Sequence, residues 1–351
     1  MLRKVAFSLV FAFFLLVVTF VAGEVALRIY NAFAHSHIFY DGTYNRYRGK
    51  PHAELYGFRL NSGGFNDTEF TAAPGDYRII GLGDSFAFGI VPHDYTYLTK
   101  LEDKLRARVG QVSLFNMGIS QTNPSDYYTI LTREGAHLKP NLVLLSFFVG
   151  NDFDVPHQHW YQASYLLTAL HYIYKVSYKV RDFTGHEPYC DSCDTFKRPE
   201  YLRIQKDRLD SWQHHIPESG PFPGGSNGFF RGTITNLLRI RDYCKTQGAD
   251  LLIVIIPDEM QVDEALRRDL IQAYYAPAGR LPYDVLRPTR LLIEELKKNN
   301  MAYLDLFPAF RDSVGHKRLY KPSDSHWNIA GNEFAARLLA DSLVKRIPAH
   351  R

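Results

Sequence analysis

Residues 78–89 read RIIGLGDSFAFG, and how this stretch is taken decides the fold. A short apolar run closes on the turn Gly83-Asp84-Ser85, and Phe86 to Gly89 follow without a break. That is the pattern of a buried strand feeding a helix. A serine hydroxyl is a poor nucleophile unless it is exposed, oriented and served by a base, and a tight strand-to-helix turn supplies the first two conditions. The helix after it would also aim its positive end at a developing negative charge. Asp and Ser equally favour plain helix capping, so this turn alone leaves both readings open.

Working outward, the alternation repeats. A helix is predicted near 97–109, then the run VSLFNMG (112–118), a helix near 124–138 and the run NLVLLSFFVG (141–150). It resumes with a helix near 231–247, LLIVIIP (251–257), a helix near 286–299, AYLDLF (302–307) and a closing helix near 329–346. Continuous apolar strands separated by helices imply an α/β domain whose mainly parallel sheet is covered on both faces. Functional groups are then expected in the loops at the carboxyl ends of the strands. Residues 31–77 form a polar, Gly- and Asn-rich leader segment expected to lie over this domain, which runs over 78–351. The interruption at about 153–230 is read as a helical insertion, because Trp160, Leu167, Leu170, Tyr174 and Tyr178 recur at near-helical spacing. A lid, a plain packing helix and a membrane-surface contact all remain open for it.

Residues 5–22 are uncharged and mostly apolar, with Arg3 and Lys4 just before them. At about 1.5 Å per residue the run crosses most of a hydrocarbon core, and the charge asymmetry puts the rest of the chain on the non-cytoplasmic side. Residues 1–30 are therefore expected to be a single-pass transmembrane anchor in the inner membrane, with a periplasmic domain beyond it. A signal peptide cut near Val21-Ala22-Gly23 is the alternative, giving a periplasmic or secreted protein. The pattern EVALRIY (24–30) continues as a helix straight through that cut site and favours the anchor.

Across 351 residues the chain is 46% hydrophobic and 22% charged with a net charge of +4, which argues against disorder and gives no basic patch for nucleic acid. Its 23 Tyr and 24 Phe suit half-wet surfaces, a sugar-stacking site or a bilayer interface, or simply an aromatic core. Cys190 and Cys193 form one C-x-x-C pair, read as a local disulfide ahead of a metal site; Cys244 falls in a helix. His157 and His159 lack a third ligand at recognisable spacing, so no metal and no cofactor is expected.

Four further positions carry chemistry. Gly118, after the second strand, can bring a backbone N–H close to substrate, and Asn151, after the third, offers an amide donor; with the N–H of Ser85 they form a candidate oxyanion hole. His326, just before the last helix, suits general-base work, and Asp324 is the carboxylate to orient it. Turn formation and helix capping are the bland alternatives for each. Asp152 is read as a structural hydrogen-bonding group, and Asp258 and Glu259, after the fourth strand, as solvated loop residues, with contact to substrate as their alternative.

Ser85 in G-D-S-x-x-x-G, Gly118, Asn151 in G-N-D and a C-terminal Asp-x-His, in that order and each beside its own strand, resemble the SGNH (GDSL) hydrolase family. The resemblance covers about residues 78–346 with the insertion unaligned. It implies a flavodoxin-like three-layer α/β/α sandwich and a Ser85–His326–Asp324 acyl-enzyme mechanism on acyl esters, with acetyl expected. One departure stands out: the family commonly places its acid three residues before the histidine, where this chain has Ser323, and Asp324 is two before. An ester hydrolase is the first expectation. An O-acyltransferase modifying a cell-envelope polysaccharide, with partner proteins, is the second, and an inactive carbohydrate-binding relative the third.

Overall fold

The computed structural model describes residues 2–33, 38–41, 46–153, 160–175, 188–216 and 228–347. In chain order the helix α1 (Leu2–Phe33) precedes two small hairpins, β1 (Ile38–Asp41) with β2 (Arg46–Gly49) and β3 (Glu54–Leu55) with β4 (Phe58–Arg59). Then come β5 (Tyr77–Leu82), α2 (Ser85–Phe88), α3 (Tyr97–Val109), β6 (Val112–Asn116), α4 (Pro124–Ile130) and β7 (Leu142–Phe148). The insertion contributes α5 (Tyr165–Lys175) and α6 (Arg198–His215), and α7 (Gly228–Thr246) leads into β8 (Asp250–Ile256). The chain closes through α8 (Glu259–Val262), α9 (Glu264–Tyr274), α10 (Arg287–Lys298), β9 (Ala302–Asp305), α11 (Phe307–Ser313) and α12 (Ile329–Leu343).

Strands β5 to β9 form one parallel sheet in the order β6-β5-β7-β8-β9, with Ile80 opposite both Phe115 and Val143 and Leu144 opposite Leu252. By chain order that is 2-1-3-4-5, the flavodoxin-like arrangement, whose direction of winding reverses beside β5 and opens a crevice at the strand ends. Alternate residues of each strand face opposite layers. Ile80, Val143, Leu145 and Ile253 pack with Trp212, Leu237, Ile240 and Leu292 on one side. Ile79, Leu144, Leu252 and Val254 pack with Leu98, Leu101, Phe310 and Leu339 on the other. Every residue of β7 is buried, which is why its sequence is apolar at six of seven positions rather than alternating, with the buried Ser146 hydrogen-bonded to Tyr97 OH.

Local chemistry sets the helix ends. The Thr96 side chain accepts from Thr99 N at the start of α3, and Gly110, at φ 87°, ends it. Asn123 and Asp126 form a reciprocal capping box on α4 with Pro124 in its first turn. The helix expected over 124–138 is shorter than that pattern. After Ile130 it widens into a π-turn over Leu131–Gly135 and tightens over Ala136–Leu138. There Gly135 lies so near the sheet that a Cβ would sit 3.1 Å from Ile80 Cδ1.

The leader segment is built into the domain. Asn66 Nδ2 donates to Phe88 O at 2.8 Å, and Asn116 N donates to Asp67 Oδ2 at 2.7 Å. Arg48, buried, donates to Glu134 and to Gly63 O. Burial pushes the Asp67 carboxyl up to about 7 despite its bonds from Asn116 and Thr68. Of the insertion pattern, residues 154–159, 176–187 and 217–227 lie outside the described residues, and with them His157, His159 and Tyr178.

Candidate active site

Ser85 sits one turn past the end of β5, where Asp84 caps α2 by accepting from Phe86 N at 2.9 Å. Helix α2 is a single turn of four residues, so the positive helix end expected after Ser85 amounts to a few N–H groups with little macrodipole behind them. Gly83 leaves room for the turn, since a Cβ there would meet Ala87 Cβ at 2.8 Å and Ser146 Cβ at 3.0 Å.

Although 241 residues apart in sequence, Ser85 Oγ and His326 Nε2 are 2.7 Å apart. His326 Nδ1 is 2.7 Å from Asp324 Oδ1, which also accepts from His326 N at 3.1 Å. The two-residue spacing between acid and histidine thus reaches as well as a longer one, with Ser323 turned into the left-handed region at φ 48° just before it. With Asp324 ionised, Nδ1 carries the proton and Nε2 is left to accept from the serine. Asp324 is 2% exposed, and burial alone would raise its carboxyl. The charge on His326 and hydrogen bonds from His326 and Thr195 outweigh burial and hold it below the usual carboxylate range. Serine and histidine remain partly open to solvent, and Phe86 packs its ring 5.1 Å from the imidazole.

Gly118 and Asn151 reach the same turn. A Cβ on Gly118 would lie 2.2 Å from Phe88 N and 2.4 Å from Ala87 C, so only glycine lets this loop pack on α2. Its single N–H donates to Asn116 Oδ1 at 2.9 Å, an acceptor the sequence did not suggest. Asn151 Nδ2 donates to Asp84 Oδ2 at 3.2 Å, which leaves its second amide hydrogen for another acceptor. Asp84 is wholly buried, and burial raises its carboxyl despite the bond from Phe86, the charge on His326 and the bond from Asn151.

Thr195 was not singled out from sequence and no local signal marks it. Its hydroxyl donates to Asp324 Oδ2 at 2.7 Å, and Thr195 N and Phe196 N donate to Pro322 O and Ser323 O. Nearby, Asp191 Oδ1 accepts from Ile329 N at 2.9 Å at the start of α12. The disulfide Cys190–Cys193 brackets Asp191 and ends two residues before Thr195, while Cys244 is free and buried in α7. Asp152 takes Tyr127 OH at 2.8 Å and Phe148 N at 2.9 Å, fastening the end of β7 to α4. Asp258 and Glu259 depart from expectation: neither is solvated. Asp258 caps α8 and pairs with Arg208, and Glu259 accepts from Tyr201 OH, so both fasten α6 to the sheet. Burial pushes Glu259 up to about 8.

A parallel 2-1-3-4-5 sheet with a hydrogen-bonded serine, histidine and aspartate at its carboxyl edge is a flavodoxin-like α/β arrangement that carries a candidate serine site. The family model described as "SGNH hydrolase-like domain, acetyltransferase AlgX" matches residues 226–350, and over that stretch the chain is similar to this family. No curated protein matches its sequence. Among solved structures it is similar to a lipase/acylhydrolase from Enterococcus faecalis (12% identity over 78% of this chain and 98% of that one, TM-score 0.41). It is also similar to an acetyl xylan esterase (16%, 76% and 99%, TM-score 0.42) and to an acetylxylan esterase from Geobacillus stearothermophilus (13%, 80% and 99%, TM-score 0.42). At such identities these likenesses say nothing about substrate.

Proposed function

We propose that the chain is a serine enzyme that takes an acyl group, expected to be acetyl, from an ester through a covalent intermediate on Ser85. The observation that carries this is the unbroken line Ser85 Oγ, His326 Nε2, His326 Nδ1, Asp324 Oδ1, each step 2.7 Å or covalent. His326 takes the hydroxyl proton as Ser85 attacks the ester carbonyl, and Asp324 stabilises the imidazolium. The carbonyl oxygen gains negative charge and is met by the Ser85 N–H and the second Asn151 amide hydrogen; Gly118 joins them by exchanging its bond to Asn116. Collapse expels the alcohol, which takes the proton from His326 and leaves acyl-Ser85. An incoming hydroxyl then gives its proton to His326 and attacks the acyl carbon, restoring the serine.

Hydrolysis, with water as acceptor, is the first reading. Transfer to a carbohydrate hydroxyl is the second, and the match of residues 226–350 to an acetyltransferase domain favours it. In both, α1 anchors the enzyme with its site in the periplasm, since this helix is of spanning length and apolar over residues 5–22. Purified full-length protein is given an aryl acetate with and without an added oligosaccharide, beside Ser85→Ala. Aryl release is expected to fall at least a thousandfold in the variant, and acetylated sugar in place of free acetate identifies the transferase. Equal release by both folded proteins would sink the serine mechanism.

A further inference from the structure

Residues 3–22 of α1 are exposed on every side, while Gly23, Glu24, Leu27 and Asn31 are partly covered. Positions 23, 24, 27 and 31 share one helical face. The uncharged part of this stretch, residues 5–22, spans about 27 Å at about 1.5 Å per residue, most of the thickness of a hydrocarbon core. Protein contact therefore begins where the apolar run ends.

What covers that face is α5. The Glu24 carboxylate accepts from Tyr165 N at 3.1 Å, Leu166 N at 2.9 Å and Ser164 Oγ at 2.8 Å. The first N–H groups of a helix have no partner within it, so Glu24 acts as an N-cap delivered from a different helix. Gly23 allows the approach, since a Cβ there would be 3.2 Å from Leu166 Cδ2. Arg28 donates to Ala163 O and stacks 4.8 Å from the Tyr165 ring, and Asn31 Nδ2 reaches Tyr165 OH. Lys50 donates to Asn31 O and Ala32 O and secures the far end of α1.

We infer that α5 is a membrane-surface helix, seated at the headgroup boundary by the Glu24 cap. This rests on α1 spanning the bilayer and adds a second lipid contact to it. Helix α5 begins level with the first residue past the apolar run and keeps Leu170 55% exposed. Its neighbourhood in sequence is rich in Trp160, Tyr161, Tyr165, Tyr172 and Tyr174, residue types that favour the boundary between water and lipid. At that depth an exposed leucine meets acyl chain rather than water. The insertion that carries α5 leaves the sheet at Asn151 and returns at Thr195, so one excursion of chain joins the candidate site to the bilayer surface. An acyl carrier or acceptor held at that surface is the substrate class this arrangement favours.

The test uses full-length protein in phosphatidylcholine/phosphatidylglycerol vesicles, with one environment-sensitive fluorophore attached under non-reducing conditions at Val21→Cys, Leu170→Cys or Val314→Cys. Brominated acyl chains are expected to quench the labels at 21 and 170 at least twofold and to spare the one at 314. Adding Glu24→Ala should abolish quenching at 170 and leave it at 21. Quenching at 21 without 170 overturns the inference, as does equal quenching at 170 and 314. Quenching that persists at 170 in Glu24→Ala removes the cap from it. An unquenched label at 21 brings down the anchor reading itself, and the inference with it.

Discussion

Thr195→Val removes one hydroxyl and keeps the side chain's shape. The lost bond is the 2.7 Å donation to Asp324 Oδ2, with both residues 2% exposed, so water cannot replace it. A hydrogen bond to a charged group contributes about 1.5–3 kcal/mol. At pH 7 the variant is therefore expected to lose that much stability, a roughly 10- to 150-fold shift in the folding equilibrium. The melting temperature should fall by about 3–12 °C, at roughly 2–4 °C per kcal/mol. The sign with pH follows from the direction of the shift. Asp324 lies below its unfolded value of about 3.9, so its stabilisation is complete above that pH and fades as pH drops through the lowered folded value. Without the hydroxyl, burial is less opposed and the carboxyl rises. Urea unfolding of the detergent-solubilised chain should thus show a constant difference from wild type between pH 5 and 8, shrinking below about 4. kcat should fall with KM unchanged, because the acid touches the histidine and not the substrate, and Thr195→Ser should restore both readouts. A Thr195→Val protein as stable as wild type at pH 7, or one whose deficit does not change with pH, would refute the reasoning.

Gly118→Ala would drive a methyl into Phe88 N and Ala87 C, backbone atoms that cannot rotate aside. It is expected to cost about 3 kcal/mol, the upper part of the overpacking range, and to lower kcat by displacing α2; a melting temperature within about 1 °C of wild type counts against this. Cys190→Ser/Cys193→Ser opens a crosslink between residues three apart, a loss of about 2 kcal/mol by chain entropy. The double variant should lose kcat permanently, and the wild type under dithiothreitol reversibly, through Thr195 and Asp191; undiminished kcat in the reduced enzyme would separate the disulfide from the site.

What could be read from the sequence is what local pattern determines. Strands β5, β7 and β8 announce themselves because burial on both faces makes the runs 79–82, 142–145 and 252–256 apolar. Helix α3 falls within its expected bounds because Thr96 and Gly110 punctuate it. Ser85 and His326 were visible because each stands in a recognisable turn. The remainder depends on partners far along the chain. Asp258 and Glu259 look like solvated loop residues until Arg208 and Tyr201, some fifty residues earlier, are brought to them. Apolar spacing cannot distinguish an α-helix from one that widens after Ile130. Asn66 and Asp67 read as polar linker, yet they tie the leader to the end of α2 and the end of β6. The engagement of the Gly118 N–H by Asn116 depends on a side-chain rotamer, which no motif specifies.

The excursion from Asn151 to Thr195 bears on how such a chain is inherited. Asp324 stands one residue nearer to its histidine than is common, and Oδ2, the oxygen turned away from the imidazole, is met by a hydroxyl that only the insertion brings. Deleting the insertion would strand that oxygen in a dry interior, and restoring the wider acid spacing would leave Thr195 facing the wrong residue. Either change alone would cost the bond between Thr195 and Asp324, so the short spacing and the insertion are expected to be inherited together.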